Sequence, residues 1–276
     1  MPCIVTSKHN GYQHFHKLDE NFSPAVLDWH CHQFYEIFYH IDGDVDFLVE
    51  GHKYHLEKNT LLIMRPMEFH SVLPRSPAKY ERFVINFKPE DLLYICLENQ
   101  MLAPFWDRPA GKGNLFSIAG NHEIQSIFSK LACETGLPSK AVDSRAEFLL
   151  GELLVQILQL SNQVDIGSTP PLQSNNALVN AVVAYIGENI TQKLTLSDLA
   201  EQFFVSKQYL SRLFKRYIGA PVNEYITHKK IGLAVQLLAE GGKPTAVAQQ
   251  CGFTEYSTFF RAFKRILGKK PEDYKS

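Results

Sequence analysis

The sequence predicts an α+β chain of two domains: an N-terminal β-barrel of the jelly-roll type and a C-terminal all-α half built from two helix-turn-helix units. Three observations carry this. Short apolar segments separated by turns fill residues 28–90, whereas apolar stripes at helical spacing fill the chain from residue 177 onward. A six-residue pattern also recurs: Phe214-Lys215-Arg216-Tyr217-Ile218-Gly219 returns as Phe263-Lys264-Arg265-Ile266-Leu267-Gly268, an offset of 263 − 214 = 49 residues, with Pro221 and Pro271 soon after each copy.

Composition sets the bounds. At 276 residues there is room for two domains of ordinary size. The net charge of −1 is silent about partners, but the halves differ. Residues 171–276 hold 14 Lys+Arg against 8 Asp+Glu, a balance of +6, which leaves 14 against 21, or −7, for residues 1–170. A basic C-terminal half suits a polyanion and an acidic N-terminal half does not. Ten of the eleven histidines lie at or before His122, so histidine chemistry belongs to the first half. No apolar run reaches the ~18 residues that cross a membrane; the longest candidate, residues 148–160, is broken by Glu152 and Gln156. Met1-Pro2-Cys3 does not begin a charged-then-apolar leader, and the expectation is a cytoplasmic protein. Cys3, Cys31, Cys96, Cys133 and Cys251 are odd in number and lack C-x-x-C spacing, which predicts reduced thiols.

In the first half, residues 45–49 alternate and are followed by a turn, residues 53–56 form the next strand, residues 60–64 are a buried-type run, and residues 81–87 alternate again. His30, His32, Phe34 and Glu36 share parity and are expected on one side of a first strand, with His70 following the fourth apolar strand. Three imidazoles and a carboxylate are suitable ligands for a divalent metal such as Fe, Mn, Ni or Zn. They equally suit the polar lining of a pocket for an organic effector, and both readings stand. Trp29 and Tyr35, of opposite parity, read as core, and His40, His52 and His55 as surface or turn residues. The run His30-x-His32-x-x-x-Glu36, with Gly43 beyond it, resembles the first cupin motif, and His70 stands where the second motif has its histidine. Where that second motif has Gly, Pro and Gly, this chain has Asn59, Arg65 and Met67, with Pro66 one place late. The resemblance implies a cupin-like effector-binding barrel over residues 1–115, with His30, His32, Glu36 and His70 as effector contacts or metal ligands.

Beyond Phe87, residues 89–94 predict a short helix start and residues 104–113 a loop. Asn121 is placed to cap a helix whose stripe is Ile124, Ile127, Phe128 and Leu131. A second helix after Pro138-Ser139 carries Phe148, Leu149, Leu153, Ile157 and Leu160, with Leu150, Leu154 and Leu158 adjacent. So wide an apolar surface is either deep in a core or paired across a dimer, and the expectation is a helical dimerisation segment over residues 116–162. Residues 163–174, with Gly167-Ser168-Thr169-Pro170-Pro171, read as a linker.

Residues 175–276 form the second domain. A helix over 177–189 turns Val179, Val182, Val183 and Ile186 inward. Thr195 and Asp198 make a capping box, and Ser206 caps a helix striped by Leu210, Leu213, Phe214 and Tyr217. Residues 221–240 read as a rigid joining helix, which would hold two recognition helices about one DNA turn, roughly 34 Å, apart. Residues 244–250 begin the second unit, and Thr254 is placed to cap a helix with apolar residues at 259, 262, 263 and 266. Its other face carries Ser257, Arg261, Lys264 and Arg265.

This half resembles the AraC/XylS family of bacterial transcription regulators. The residues that carry the resemblance are Leu199-Ala200, Ser206-x-x-x-Leu210-Ser211-Arg212-x-Phe214-Lys215, Ile231, Ala234, Leu237-Leu238, Val247-Ala248, Cys251-Gly252-Phe253, Phe259-Phe260-x-x-Phe263-Lys264, Gly268 and Pro271-x-x-Tyr274. It implies a barrel that senses a small molecule, often a sugar, and a tail that binds double-stranded promoter DNA as a homodimer, meeting RNA polymerase if it activates. By position, Gln208, Ser211 and Arg212 in the first unit and Tyr256, Ser257, Phe260 and Arg261 in the second face the groove, while Lys215, Lys264 and Arg265 hold phosphates. Phe204 and Phe260 depart from the usual polar choices and read alternatively as extra core. The rival reading is a metal-dependent cupin enzyme, an isomerase or dioxygenase, with a helical appendage. It leaves the duplicated helix-turn-helix unexplained.

Overall fold

The computed structural model describes residues 3–9, 12–23, 29–89, 92–95, 99–133, 139–163, 173–174 and 176–273. Two antiparallel sheets face each other. The larger runs β1 (Cys3–His9), β2 (Tyr12–Phe22), β8 (Ala78–Phe87), β3 (Tyr35–Asp42), β6 (Thr60–Met64) and β9 (Leu115–Ser117) in spatial order. The smaller runs β10 (Gln173–Ser174), β5 (His52–His55), β4 (Val45–Val49) and β7 (His70–Pro74). Strand alternation assigns the two faces of the larger sheet. Phe38, Leu62, Met64 and Tyr80 point inward against Val45, Phe47 and Val49, whereas Ile37, Tyr39, Leu61, Ile63, Phe83, Ile85 and Phe87 point outward under helices.

Those helices are α1 (Asn99–Trp106), α2 (His122–Ala132) and α3 (Ser139–Gln163). Asn121 caps α2 by accepting from the Ile124 N–H, and Ile124, Ile127, Phe128 and Leu131 are its buried stripe, as their spacing predicts. On α3, Leu149, Leu150, Leu153, Leu154 and Ile157 pack into the core beneath the larger sheet, which absorbs most of the wide apolar surface. Phe148 and Val155, seven residues apart, stay exposed.

Several expectations fail here. The strand expected to carry the histidines is β3, which begins at Tyr35, so His30 and His32 precede it instead of lying on it. The helix start expected at 89–94 lies partly outside the described residues: Pro89 opens a 3-10 turn, with the Leu92 N–H 3.4 Å from its carbonyl, while residues 92–95 are not helical; the next helix, α1, includes Pro104, which was expected to open a loop. Burial of Leu102 and Phe105 offsets the backbone bond a proline removes. His40 and His52 are buried, not surface residues: His40 Nδ1 lies 2.8 Å from the Glu57 carbonyl, and burial lowers the pKa of both rings. At the two glycine positions of the second cupin motif, Asn59 and Met67 have φ of 60° and 61°, so the backbone keeps the left-handed turn without the glycine. Tyr35 stacks on Phe87 and meets Phe105 edge-on, as a core residue does.

The second domain comprises α4 (Ala177–Glu188), α5 (Leu196–Gln202), α6 (Lys207–Ile218), α7 (Val222–Ala239), α8 (Pro244–Gln250) and α9 (Tyr256–Leu267), closed by a short 3-10 turn, Pro271–Asp273. No helix among the described residues is long and apolar enough to cross a membrane. Val179, Val182, Val183 and Ile186 of α4 join Leu199, Leu210, Phe214 and Ile218 in one core. A second core gathers Ile231, Ala234, Leu238, Val247, Cys251, Phe259 and Phe263. Helix α7 serves both cores, and Cys31 and Cys251 are free thiols.

Candidate functional site

Each reading head is a short helix, a tight turn and a longer helix. In the first, Thr195 accepts from the Asp198 N–H while the Asp198 carboxylate accepts from the Thr195 N–H, and Ser206 caps α6 by accepting from Tyr209. The turn passes through Phe204, whose φ of 54° is left-handed and whose ring is 95% exposed, so Phe204 is not extra core. In the second head the left-handed residue is Gly252, φ 70°. The first turn spends four residues, 203–206, between its helices and the second spends five, 251–255. That extra residue moves the N-cap of α9 from the expected Thr254 to Glu255, which makes no side-chain capping bond.

The predicted groove residues lie on α6 and α9. Gln208, Arg212 and Lys215 are exposed and Ser211 is half-buried; Ser257, Arg261, Lys264 and Arg265 are exposed, with Tyr256 and Phe260 half-buried. The Tyr256 hydroxyl donates to Glu272, and the Arg261 Nε–H donates to the Ser257 carbonyl. Lys230 of α7 is buried and ties the heads together, donating to the Gln192 carbonyl at 2.9 Å and the Gly252 carbonyl at 2.7 Å.

In the barrel, a backbone bridge joins His30 to His70 and brings the three predicted histidines together: nitrogen atoms of His30, His32 and His70 lie within 4.8 Å of one another. Glu36 joins them, 3.0 Å from His32 Nε2 and 3.8 Å from His70 Nε2. Hydrogen bonds settle the protons. His70 Nδ1 donates to the Glu68 carbonyl at 2.8 Å, which leaves its buried Nε2 as a lone pair without a hydrogen-bond partner. Burial lowers the His70 pKa to about 4, so the ring is neutral near pH 7. His32 faces acceptors from both nitrogens, the Phe34 carbonyl and Glu36. Burial opposes its charged form, but the Glu36 hydrogen bond and charge outweigh it and raise the pKa. Burial alone would raise the Glu36 carboxyl; the hydrogen bond from His32 and the neighbouring imidazoles hold it low. As donors for a divalent cation the set fits in kind: His70 offers a free lone pair, whereas His32 would first release a proton.

The histidine set sits beside the docking face between the domains, which sequence reasoning missed. Trp29 packs where a Cβ on Gly219 would meet its ring at 2.1 Å, so only glycine, here at φ 82°, serves as the C-cap of α6. Cys31 Sγ lies 3.2 Å from His228 Nδ1. Phe69 enters the core of the first head, against Tyr225 and His228, and Met67 enters that of the second. Glu50, fully buried, accepts from the Phe69 N–H, the Tyr225 hydroxyl and Lys229 Nζ. The only sequence signal was an acidic residue ending the apolar run 45–49 and a Lys229-Lys230 pair inside an apolar helix.

A ligand-binding barrel joined to two helix-turn-helix units defines a DNA-binding regulator with its own sensor domain. The chain matches the family model of the AraC-like ligand binding domain over residues 19–154 and that of a helix-turn-helix domain over residues 199–276. It is 25% identical to the uncharacterized HTH-type transcriptional regulator YfiF of Bacillus subtilis (strain 168), over 99% of this chain and 90% of that protein. It is 32% identical to the transcriptional regulatory protein HptR of Staphylococcus aureus (strain MRSA252), over 49% of this chain and 58% of that one. Among solved structures it is similar to ToxT of Vibrio cholerae strain SCE256 with an unsaturated fatty acid bound, at 14% identity, 97% and 96% coverage and a TM-score of 0.39. The two family matches cover 136 + 78 = 214 of 276 residues, and the chain belongs to the AraC family of transcription regulators with an N-terminal ligand-binding domain. It is therefore a regulator and not a cupin enzyme.

Proposed function

We propose that both heads read promoter DNA in successive major grooves and that a small molecule in the barrel, a sugar or related metabolite, sets how they are presented. One observation carries the reading: the barrel docks on α4, α7 and the C-terminal end of α6, leaving Gln208, Arg212, Lys215, Ser257, Arg261, Lys264 and Arg265 exposed on the two repeated helices. Helix α7, at 18 residues, is about 27 Å long, a rod of suitable length between two readers on one DNA face. Arg212→Ala is expected to cost about 1–3 kcal/mol and relax base preference, while Lys215→Ala weakens binding to all duplexes alike and flattens the salt slope. Equal losses on specific and random DNA for both variants would remove these assignments.

The polar set His30, His32, Glu36 and His70 supports a polar effector. A melt panel on the full chain tests it, since a ligand at a hundred times its Kd adds about 2.7 kcal/mol. A shift with one sugar or metabolite, unaffected by chelator, supports the effector reading; no shift across the panel removes a sugar. The partnerless Nε2 of His70 favours a second reading, a divalent metal on the same residues. A shift with metal alone, reversed by chelator, supports it. Phe148 and Val155 on α3 support a homodimer through that helix; a monomer in sedimentation at micromolar concentration would remove it.

A further inference from the structure

We propose that Glu50 of the barrel is a latch that holds both reading heads on the barrel, and that the His30, His32, His70 and Glu36 set works this latch through alternate residues of the same two segments. The proposal rests on the ligand-controlled reading above and names its moving part. Glu50 grips Phe69 on one side of the domain boundary and two residues on the other. On the barrel side its N–H donates to the Phe69 carbonyl at 2.9 Å and its carboxylate accepts from the Phe69 N–H at 2.7 Å. On the other side the carboxylate takes the Tyr225 hydroxyl and the Lys229 ammonium, both on α7. Lys229 also donates to the Met67 carbonyl at 2.8 Å.

The segments that form this face alternate. In 29–32, Trp29 and Cys31 touch Gly219 and His228 of the DNA-binding half, while His30 and His32 join the histidine set. In 67–70, Met67 and Phe69 enter the two cores of that half, while His70 joins the set. A ligand that draws His30, His32 and His70 together therefore displaces residues bonded directly to the docking contacts. Glu50 itself has a φ of 49°, so its side chain is aimed at α7 from a left-handed backbone. A carboxylate and an ammonium shielded from water hold well as a pair and badly when either is left alone, which makes the contact two-state.

The protein's own cysteines report on the latch. Cys31 is half-buried at the domain boundary with its thiol pushed up to about 12 by burial; Cys251 is buried in the second head and Cys133 is exposed. N-ethylmaleimide labelling of the full chain, without DNA or effector, is followed peptide by peptide. Glu50→Gln and Lys229→Met are each expected to speed Cys31 labelling by about tenfold or more with Cys251 unchanged, and the double variant to return within about threefold of the native rate, because no buried charge is stranded. Glu36→Gln, which touches the histidine set and none of the docking residues, is expected to change the Cys31 rate by about fivefold, beyond the band allowed for the double variant. An unchanged Cys31 rate in both Glu50→Gln and Lys229→Met overturns the latch. So does a rise of Cys251 in step with Cys31, which would make the pair an ordinary folding element. An unchanged rate in Glu36→Gln overturns the transmission. Binding to a random-sequence duplex is measured separately, so absence of salt-sensitive affinity would remove the DNA reading and leave the labelling result standing.

Discussion

Arg108→Met should destabilise the barrel by about 3–5 kcal/mol, the usual cost of leaving one member of a buried ion pair alone. Arg108 and Glu68 are both shielded from solvent and meet through two guanidinium nitrogens, Nη2 at 2.7 Å and Nη1 at 2.9 Å. The same guanidinium donates to Asn114 and to the Lys112 and Ile63 carbonyls, so its loss also leaves those acceptors short. Burial by itself would raise the Glu68 carboxyl, but the Arg108 charge and hydrogen bonds outweigh it and hold it far below the usual range. Because the folded pKa lies below the unfolded one, near 4.5, the pair's stabilisation is present above that pH and drains away as pH falls toward the folded value. Urea titrations at pH 7 and pH 4 should show the native chain losing more stability on acidification than Arg108→Met/Glu68→Leu, in which the group is absent. A single variant within about 1 kcal/mol of native would mean that Arg65, 3.8 Å away, already neutralises Glu68.

Phe259→Ala should cost about 3–5 kcal/mol in the second head. Its ring is fully buried and meets those of Phe253, Tyr256 and Phe263 at centroid distances of 5.3, 5.7 and 5.4 Å. Two of these, Tyr256 and Phe263, share α9 with it, so the ring orients the helix that carries Ser257, Arg261 and Lys264. The expected result is an earlier thermal transition together with lost DNA affinity. Phe260→Ala, one residue on and half-buried, should leave the melt within about 1 kcal/mol of native. Any affinity lost there would report a DNA contact instead of folding. If Phe259→Ala melted like the native chain, the two-core description of the DNA-binding half would be wrong.

Helices α2, α5 and α6 were legible because each buries one stripe and carries its own cap: Asn121, Thr195 and Ser206 all accept the bonds their positions predict. Helix α7 shows no single stripe, and the reason is now physical. Tyr225, Ile226, Lys230, Ile231 and Leu238 face different neighbours, two heads and a barrel, so no one side is left to water. Strands β1 and β2 were missed because β2 mixes His14, His16, Lys17 and Asp19 into its alternation, with cross-strand partners on β8 that local pattern does not show. The histidine set was found by its motif spacing although the strand assumed to carry it starts later. A bridge between residues forty apart, His30 and His70, does what strand parity was expected to do. The docking face had almost no local signal, since Glu50 and Lys229 are separated by 179 positions.

Strand β10 limits how far the reading heads can travel. Gln173 and Ser174 pair with Lys53 and His52, adding a strand to the free edge of the smaller sheet, and α4 begins at Ala177. While that pairing lasts, three residues, about 10 Å of chain, tether the DNA-binding half to the barrel. Of the linker expected over 163–174, residues 164–172 lie outside the described residues, Gln163 ends α3 and Gln173–Ser174 form β10. Two paired residues thus fix the point on the smaller sheet from which the DNA-binding half departs.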